Sequence, residues 1–181
     1  LFPLAPGKVV RVNRMVSLEK FSGKEGEKRI TGLGFSTTAG DTIFASRGGL
    51  VTEVVDNAAS TSENTSFHAT ENYLEVFHKD GTFARYKLFQ NGGIFVSPGE
   101  EVIPGQPLGI IGGENYKQGS HLRFSIYCPD QPDYSYVPDF CLSQEEVGKP
   151  EPRVMYKSWH PVAIVVREMS KKEKKKFLSK E

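Results

Sequence analysis

The stretch TGLGFSTTAGDTIFA, residues 31–45, decides the fold once it is set beside SHLRFSIY, residues 120–127. Both are short runs of alternating character, entered through glycine or a small polar residue, which is the pattern of half-buried β-strands. In the second, Leu122, Phe124 and Ile126 share one face, and His121, Arg123, Ser125 and Tyr127 share the other. Successive side chains of a strand point to opposite sides of its sheet, so this split is clean. A polar face presenting His-x-Arg is a candidate site.

The flanking chain has the same texture. Residues 1–14 carry Val9, Val10 and Val12 after Pro6-Gly7 and predict a first strand, and residues 19–29 read as a polar, glycine-punctuated loop. Residues 43–45 continue as a strand, and Gly48-Gly49 turns the chain into a β-branched run, residues 50–55. NAASTSENTS, residues 57–66, is a polar surface loop. A hairpin is predicted over residues 72–89, with strands at 73–78 and 82–88 around Asp80-Gly81, a pair suited to a turn needing positive φ. Residues 99–111 set two short strands around Pro104-Gly105, and residues 112–119 form a glycine-edged loop into the His121 strand.

No helical period occurs before the tail, so the body is all-β. A late apolar strand is expected at residues 162–166. In the tail EMSKKEKKKFLSKE, Ser170 followed by Glu173 fits a helix-starting capping box. The lysine run there reads first as a solvated helix face; an anionic membrane surface or cell-wall polymer is its alternative partner.

At 181 residues, with 38% hydrophobic and 25% charged residues, the chain can bury one substantial core. A net charge of +1 excludes a general basic field for nucleic acid. No apolar run is long enough to span a bilayer, and the chain shows no signal peptide. Cys128 and Cys141 flank a proline- and tyrosine-rich segment. They read equally as a disulfide, contributing about 3 kcal/mol on chain-entropy grounds, or as two reduced thiols.

GLGFSTTAGDTIFASRGGLV, the strand end Tyr86–Leu88, PGEEVIPGQPLGIIG and SHLRFSI stand in the order and spacing of the lysostaphin/LytM-type zinc metallopeptidases, which this chain resembles from about residue 32 to residue 127. The resemblance implies a small glycine-rich, barrel-sandwich-like fold, the duplicated hybrid motif, over residues 1–129. Residues 130–181 would be an appendage, packed on it through Phe140, Tyr156, Trp159 and residues 162–166 and ending in a short helix. Members of that family mostly cut peptide cross-bridges of bacterial cell walls. They hold zinc with a His-x-x-x-Asp and the second His of a His-x-His; the first His of that pair and the His of a Tyr-x-His assist the activated water.

Carried over by position, the resemblance puts the zinc ligands at Ile30, Gly34 and Arg123, and the assisting histidines at Leu88 and His121. Only His121 survives. Ile30 and Gly34 have no side-chain donor atom, and a guanidinium has no lone pair to give a metal. A positive group about 4 Å from a divalent ion, at an effective dielectric near 20, would repel it by roughly 8 kcal/mol. The expectation is that no zinc binds and no cofactor is used. His68, His78 and His160 show no metal-ligand spacing; His78 is expected at an exposed strand end and His160 in packing. Ser120 and His121, adjacent on a strand, cannot act as nucleophile and base.

The first functional reading is therefore a catalytically inactive, peptidase-like domain of the bacterial envelope. It would bind peptidoglycan peptides, or an envelope protein such as a cell-wall hydrolase, in a groove lined by Tyr86, His121 and Arg123. That groove would be flanked by residues 36–41 and 112–119. Arg123 would hold a carboxylate there, or would fill the vacant metal space and pair with a nearby acid. One alternative is an active endopeptidase with a rebuilt metal site. Another is a carrier domain, since PGEEVIPGQPLGII also resembles the turns of lipoyl and biotinyl domains, though the hairpin tip Lys79-Asp80-Gly81 lacks their setting. An extracytoplasmic location, implied by the family, raises the case for a Cys128–Cys141 bridge.

Overall fold

The computed structural model describes residues 1–16, 30–58, 71–112 and 120–179. In chain order the strands are β1 (Val9–Val16), β2 (Ile30–Ser36), β3 (Thr42–Phe44), β4 (Gly49–Val55), β5 (Tyr73–Phe77), β6 (Phe83–Lys87) and β7 (Phe89–Ile94). They continue with β8 (Glu101–Val102), β9 (Pro107–Ile111), β10 (His121–Cys128), β11 (Gln131–Tyr136), β12 (Phe140–Cys141), β13 (Val147–Gly148) and β14 (Met155–Lys157). Two helices, α1 (Val162–Val165) and α2 (Lys171–Leu178), close the chain. The predicted loops at residues 19–29 and 57–66 fall wholly or mostly outside the described residues.

The main sheet runs β14-β1-β2-β10-β6-β5-β4-β8, with β11 added to β10, and it stays open at both edges. A smaller sheet, β3-β9-β7, supplies the second layer. The all-β reading holds, and so does the alternation that carried it. On β6, Ala84 and Tyr86 are buried while Phe83, Arg85 and Lys87 face the other way. On β10, Leu122 and Phe124 are buried between His121, Arg123 and Ser125. These inward residues meet Phe2, Leu4, Leu33, Phe35 and Phe140 in one core. Its rings pack largely edge to face, with Phe35–Phe124 centroids 6.1 Å apart and Tyr86–Phe124 centroids 5.0 Å apart, a favoured aromatic geometry.

Two glycines are required by close approach. A Cβ at Gly32 would lie 2.5 Å from the Phe124 carbonyl oxygen, and one at Gly49 would lie 2.2 Å from that of Phe77. Each lets one strand come against the backbone of its neighbour. The hairpin turns as expected. Asp80 Oδ1 accepts from the Thr82 amide at 3.1 Å and hydroxyl at 2.7 Å, and Gly81 takes φ +85°.

Two expectations change, and the cysteines take one of their two readings. His78 is not at an exposed strand end: it is 1% exposed, with Nδ1 2.9 Å from the Gly48 carbonyl oxygen, because β4 folds over the hairpin. The apolar run expected as a strand over residues 162–166 is the short helix α1. This run satisfies its backbone locally. The Val165 amide donates to the Pro161 carbonyl at 3.0 Å and that of Val166 to Val162 at 2.9 Å. Cys128 and Cys141 are free thiols, not a bridge; Cys141 is buried with Leu1 and Val165 while Cys128 ends β10. The capping box at α2 forms as read, with the Glu173 amide donating to Ser170 Oγ and the Ser170 amide to Glu173 Oε2.

The C-terminal part shares the core of the body. Phe140 stacks on Phe2 at 4.9 Å, β14 pairs with β1, and Ser158 Oγ donates to the Leu4 carbonyl at 2.9 Å.

Candidate functional site

The site forms on the face of the main sheet turned away from the core. Antiparallel pairing sets Arg123 of β10 directly opposite Gly34 of β2 on one side and Lys87 of β6 on the other. His121, two residues back, lies opposite Ser36. Ile30 is the first residue of β2. The side chain of Ile30 lies outside the described set.

Arg123 is held from two directions. Its Nη1 pairs with Glu71 Oε1, and its Nε–H donates to His121 Nε2 at 3.2 Å. Glu71 Oε2 also meets Lys87 Nζ at 3.4 Å. The Glu71 and Arg123 side chains are only 9% and 16% exposed, so this pair is shielded and geometrically fixed. The lone pair that His121 Nε2 would need as a base is taken by the guanidinium. Glu71 and Lys87 were not foreseen. Glu71 follows a polar stretch that reads as loop, and Lys87 sits between Tyr86 and Leu88, residues of the opposite face and the core. Only the register of β10 on β6 brings Lys87 beside Arg123.

Tyr86 does not line this groove. It is fully buried on the core side of β6, and its hydroxyl accepts the Ser46 amide at 2.9 Å. Burial pushes its phenol up to about 12. Alternation along β6 makes this unavoidable: Lys87 faces out, so Tyr86 faces in. Leu88, where the resemblance would put an assisting histidine, is 2% exposed and adopts φ +80°. Its amide donates to the Asn72 carbonyl at 2.9 Å and its carbonyl accepts the Gly112 amide at 2.8 Å, which hold the strained peptide in place.

Further along the same face lies a second polar cluster. Arg85 Nε donates to Glu75 Oε2 at 3.0 Å, the Tyr127 hydroxyl donates to the same oxygen, and Thr52 Oγ1 donates to Oε1 at 3.2 Å. Burial and the Glu75 carboxylate push the Tyr127 phenol up to about 12. Arg85 lies over the Tyr73 and Tyr127 rings at 5.0 and 5.4 Å. The Arg85–Glu75 pair balances its own charge, whereas among the described residues Arg123 and Lys87 share the single carboxylate of Glu71.

Among the described residues, the donor set does not fit zinc. Gly34 offers no ligand atom, Arg123 brings a positive charge, and among the described residues no three His, Cys, Asp or Glu side chains come together to hold a metal. His78 and His160 are spent on backbone: His160 Nε2 lies 3.2 Å from the Phe2 carbonyl oxygen. His68 and residues 113–119 of the second flanking loop lie outside the described residues. Of the first loop, Asp41 caps the turn by accepting the Thr38 amide at 2.6 Å and pairs with Lys8.

Comparison with known proteins places this architecture. Among solved structures, a zinc-containing peptidase from Vibrio cholerae superposes with a TM-score of 0.50 at 20% identity, over 75% of this chain and 37% of that one. The present chain thus spans little more than a third of that relative's length. A complex of SpoIIIAH and SpoIIQ gives a TM-score of 0.52 at 17% identity, covering 75% of this chain and 94% of that one. The catalytic domain of the prophage-encoded M23 protein EnpA from Enterococcus faecalis, crystallised as a mutant, gives 0.49 at 20% identity, over 75% and 92%. These likenesses concern the fold. A search of curated proteins found no match. The profile described as peptidase family M23 matches residues 28–133, more than half of the chain and all of the patch around Arg123. The chain belongs to peptidase family M23.

Proposed function

We propose that this M23 domain does not hydrolyse peptides and works by binding, as a pseudo-peptidase of the bacterial envelope. One observation carries the reading: where the family's ligands converge, Gly34 faces Arg123, and Arg123 is ion-paired to Glu71. An intramolecular salt bridge stands in for the metal and ties β10 to the segment leading into β5. Zinc is accordingly not a cofactor here.

The bound species is an envelope protein, such as a cell-wall hydrolase that the domain regulates, in preference to a free cell-wall peptide. Arg123 already has a carboxylate, so a peptide carboxylate would have to displace Glu71 from a shielded pair. A related fold in a two-protein complex, SpoIIIAH with SpoIIQ, supports the same direction. Family membership supports the extracytoplasmic location.

The test is incubation of the protein with purified peptidoglycan, with added zinc and separately with a chelator. The expected result is no release of peptide amines in either case. Chelator-sensitive cleavage would overturn the reading and restore the endopeptidase alternative. For the binding half, Arg123→Ala should weaken capture of the envelope partner; unchanged capture would remove this face from the function.

A further inference from the structure

The tail helix α2 carries its charge in an arrangement that the site above does not use. Residues 167–181 hold seven Lys and Arg against three Asp and Glu, a net +4, while the other 166 residues hold sixteen against nineteen, a net −3. A nearly neutral chain is thus polarised. At 100° per residue, Lys171, Lys172, Lys175 and Lys176 fall within one half of the helix circumference, in two rows of i, i+4 pairs. All four are exposed.

The opposite side anchors the helix: Phe177 packs against the cluster of Leu1, Cys141 and Val165, and Met169 joins it just before the helix. The nearby acids are engaged elsewhere. Glu173 closes the capping box on Ser170, and Glu168 accepts from Arg47 Nε at 2.9 and 3.0 Å. None of the four lysines makes an ion pair among the described residues. Like charges at i, i+4 destabilise a helix, so this face is held together by its cap and its anchor against its own repulsion. A flat polyanion would relieve that repulsion.

We infer that α2 is a docking surface for the anionic headgroups of a phospholipid leaflet. The shape favours a plane over a threadlike polymer. The lysines spread over a convex half-cylinder, whereas linear polyanions are gripped in grooves. Leu178, at the end of the helix, is 52% exposed and can dip below the headgroups. Clusters of four or more lysines read in this way, and the long stems allow their ammonium groups to reach the headgroup plane. No described helix is long and apolar enough to cross a membrane.

The experiment is co-flotation of the whole chain with phosphatidylcholine vesicles, with and without phosphatidylglycerol, at low and high salt. Binding is expected only with phosphatidylglycerol, and lost at high salt. Each lysine should contribute about fivefold, so the quadruple Lys→Gln variant at 171, 172, 175 and 176 should stay in solution, and the quadruple Lys→Arg variant should float. Glutamine preserves helix propensity, and equal melting curves will show both variants folded. Failure of the wild type to float, or flotation of the Gln variant, overturns the inference. So does binding to soluble polyphosphate without binding to vesicles, which would assign the face to a polymer.

Discussion

At the scale of single residues, the account rests on Arg123 and the carboxylate that satisfies it. Removing one partner of a shielded pair leaves the other charge with neither water nor counter-ion. Glu71→Gln should therefore cost about 2 kcal/mol in urea unfolding, and Glu71→Gln with Arg123→Gln should recover part of it. Two histidines set the acid limit. Burial holds the imidazoles of His78 and His160 below their ordinary value. The unfolded chain then binds protons that the fold refuses, so stability is complete above about pH 6.5 and falls as the pH drops below it. Melting temperature should decline between about pH 7 and pH 5, and His78→Asn should shrink that decline. That positions 34 and 123 carry no metal-donor side chain was legible in the sequence, because it needs only residue identity. The partner Glu71 was not, because no local pattern reports an ion pair made between segments 52 residues apart. Tyr86 was misplaced for a different reason. Its membership of a Tyr-x-His-like stretch suggested the groove, while the alternation of β6 had already assigned it to the core.

At the scale of elements, short strands depend on close backbone approach. Gly32→Ala would drive a methyl group into the Phe124 carbonyl and should cost at least about 2 kcal/mol, measured by urea unfolding. The strands themselves were readable from period-2 alternation and turn residues, and the α2 start from Ser170 and Glu173. Ser170→Ala should loosen α2 by about 1 kcal/mol, seen as faster amide exchange at its first turn. The segment at residues 162–166 was misread because a β-branched run is apolar in either conformation. In the structure the run closes its own backbone bonds, Val165 to Pro161 and Val166 to Val162, which no period-2 or apolar pattern reports. The choice between a bridge and two thiols was open in the sequence, because sequence separation says nothing of the positions of Cys128 at the end of β10 and Cys141 in the second cluster, where both are free thiols.

At the scale of the whole molecule, the C-terminal part completes the core that the family-matched region begins. Phe140 stands among Phe2, Phe35 and Phe124, and β14 covers β1. A fragment ending at residue 129 should lack cooperative unfolding and a dispersed amide spectrum; a fragment that folded by itself would make residues 130–181 a separable appendage. The molecule as a whole is an M23 domain in which a glycine stands opposite a paired arginine, at positions we assign to the metal. The measurement that tests this most directly is calorimetric titration of the metal-stripped protein with zinc. The account predicts no binding at micromolar zinc. A tight one-to-one site would contradict it, and would mean that ligands other than Gly34 and Arg123 assemble a metal centre.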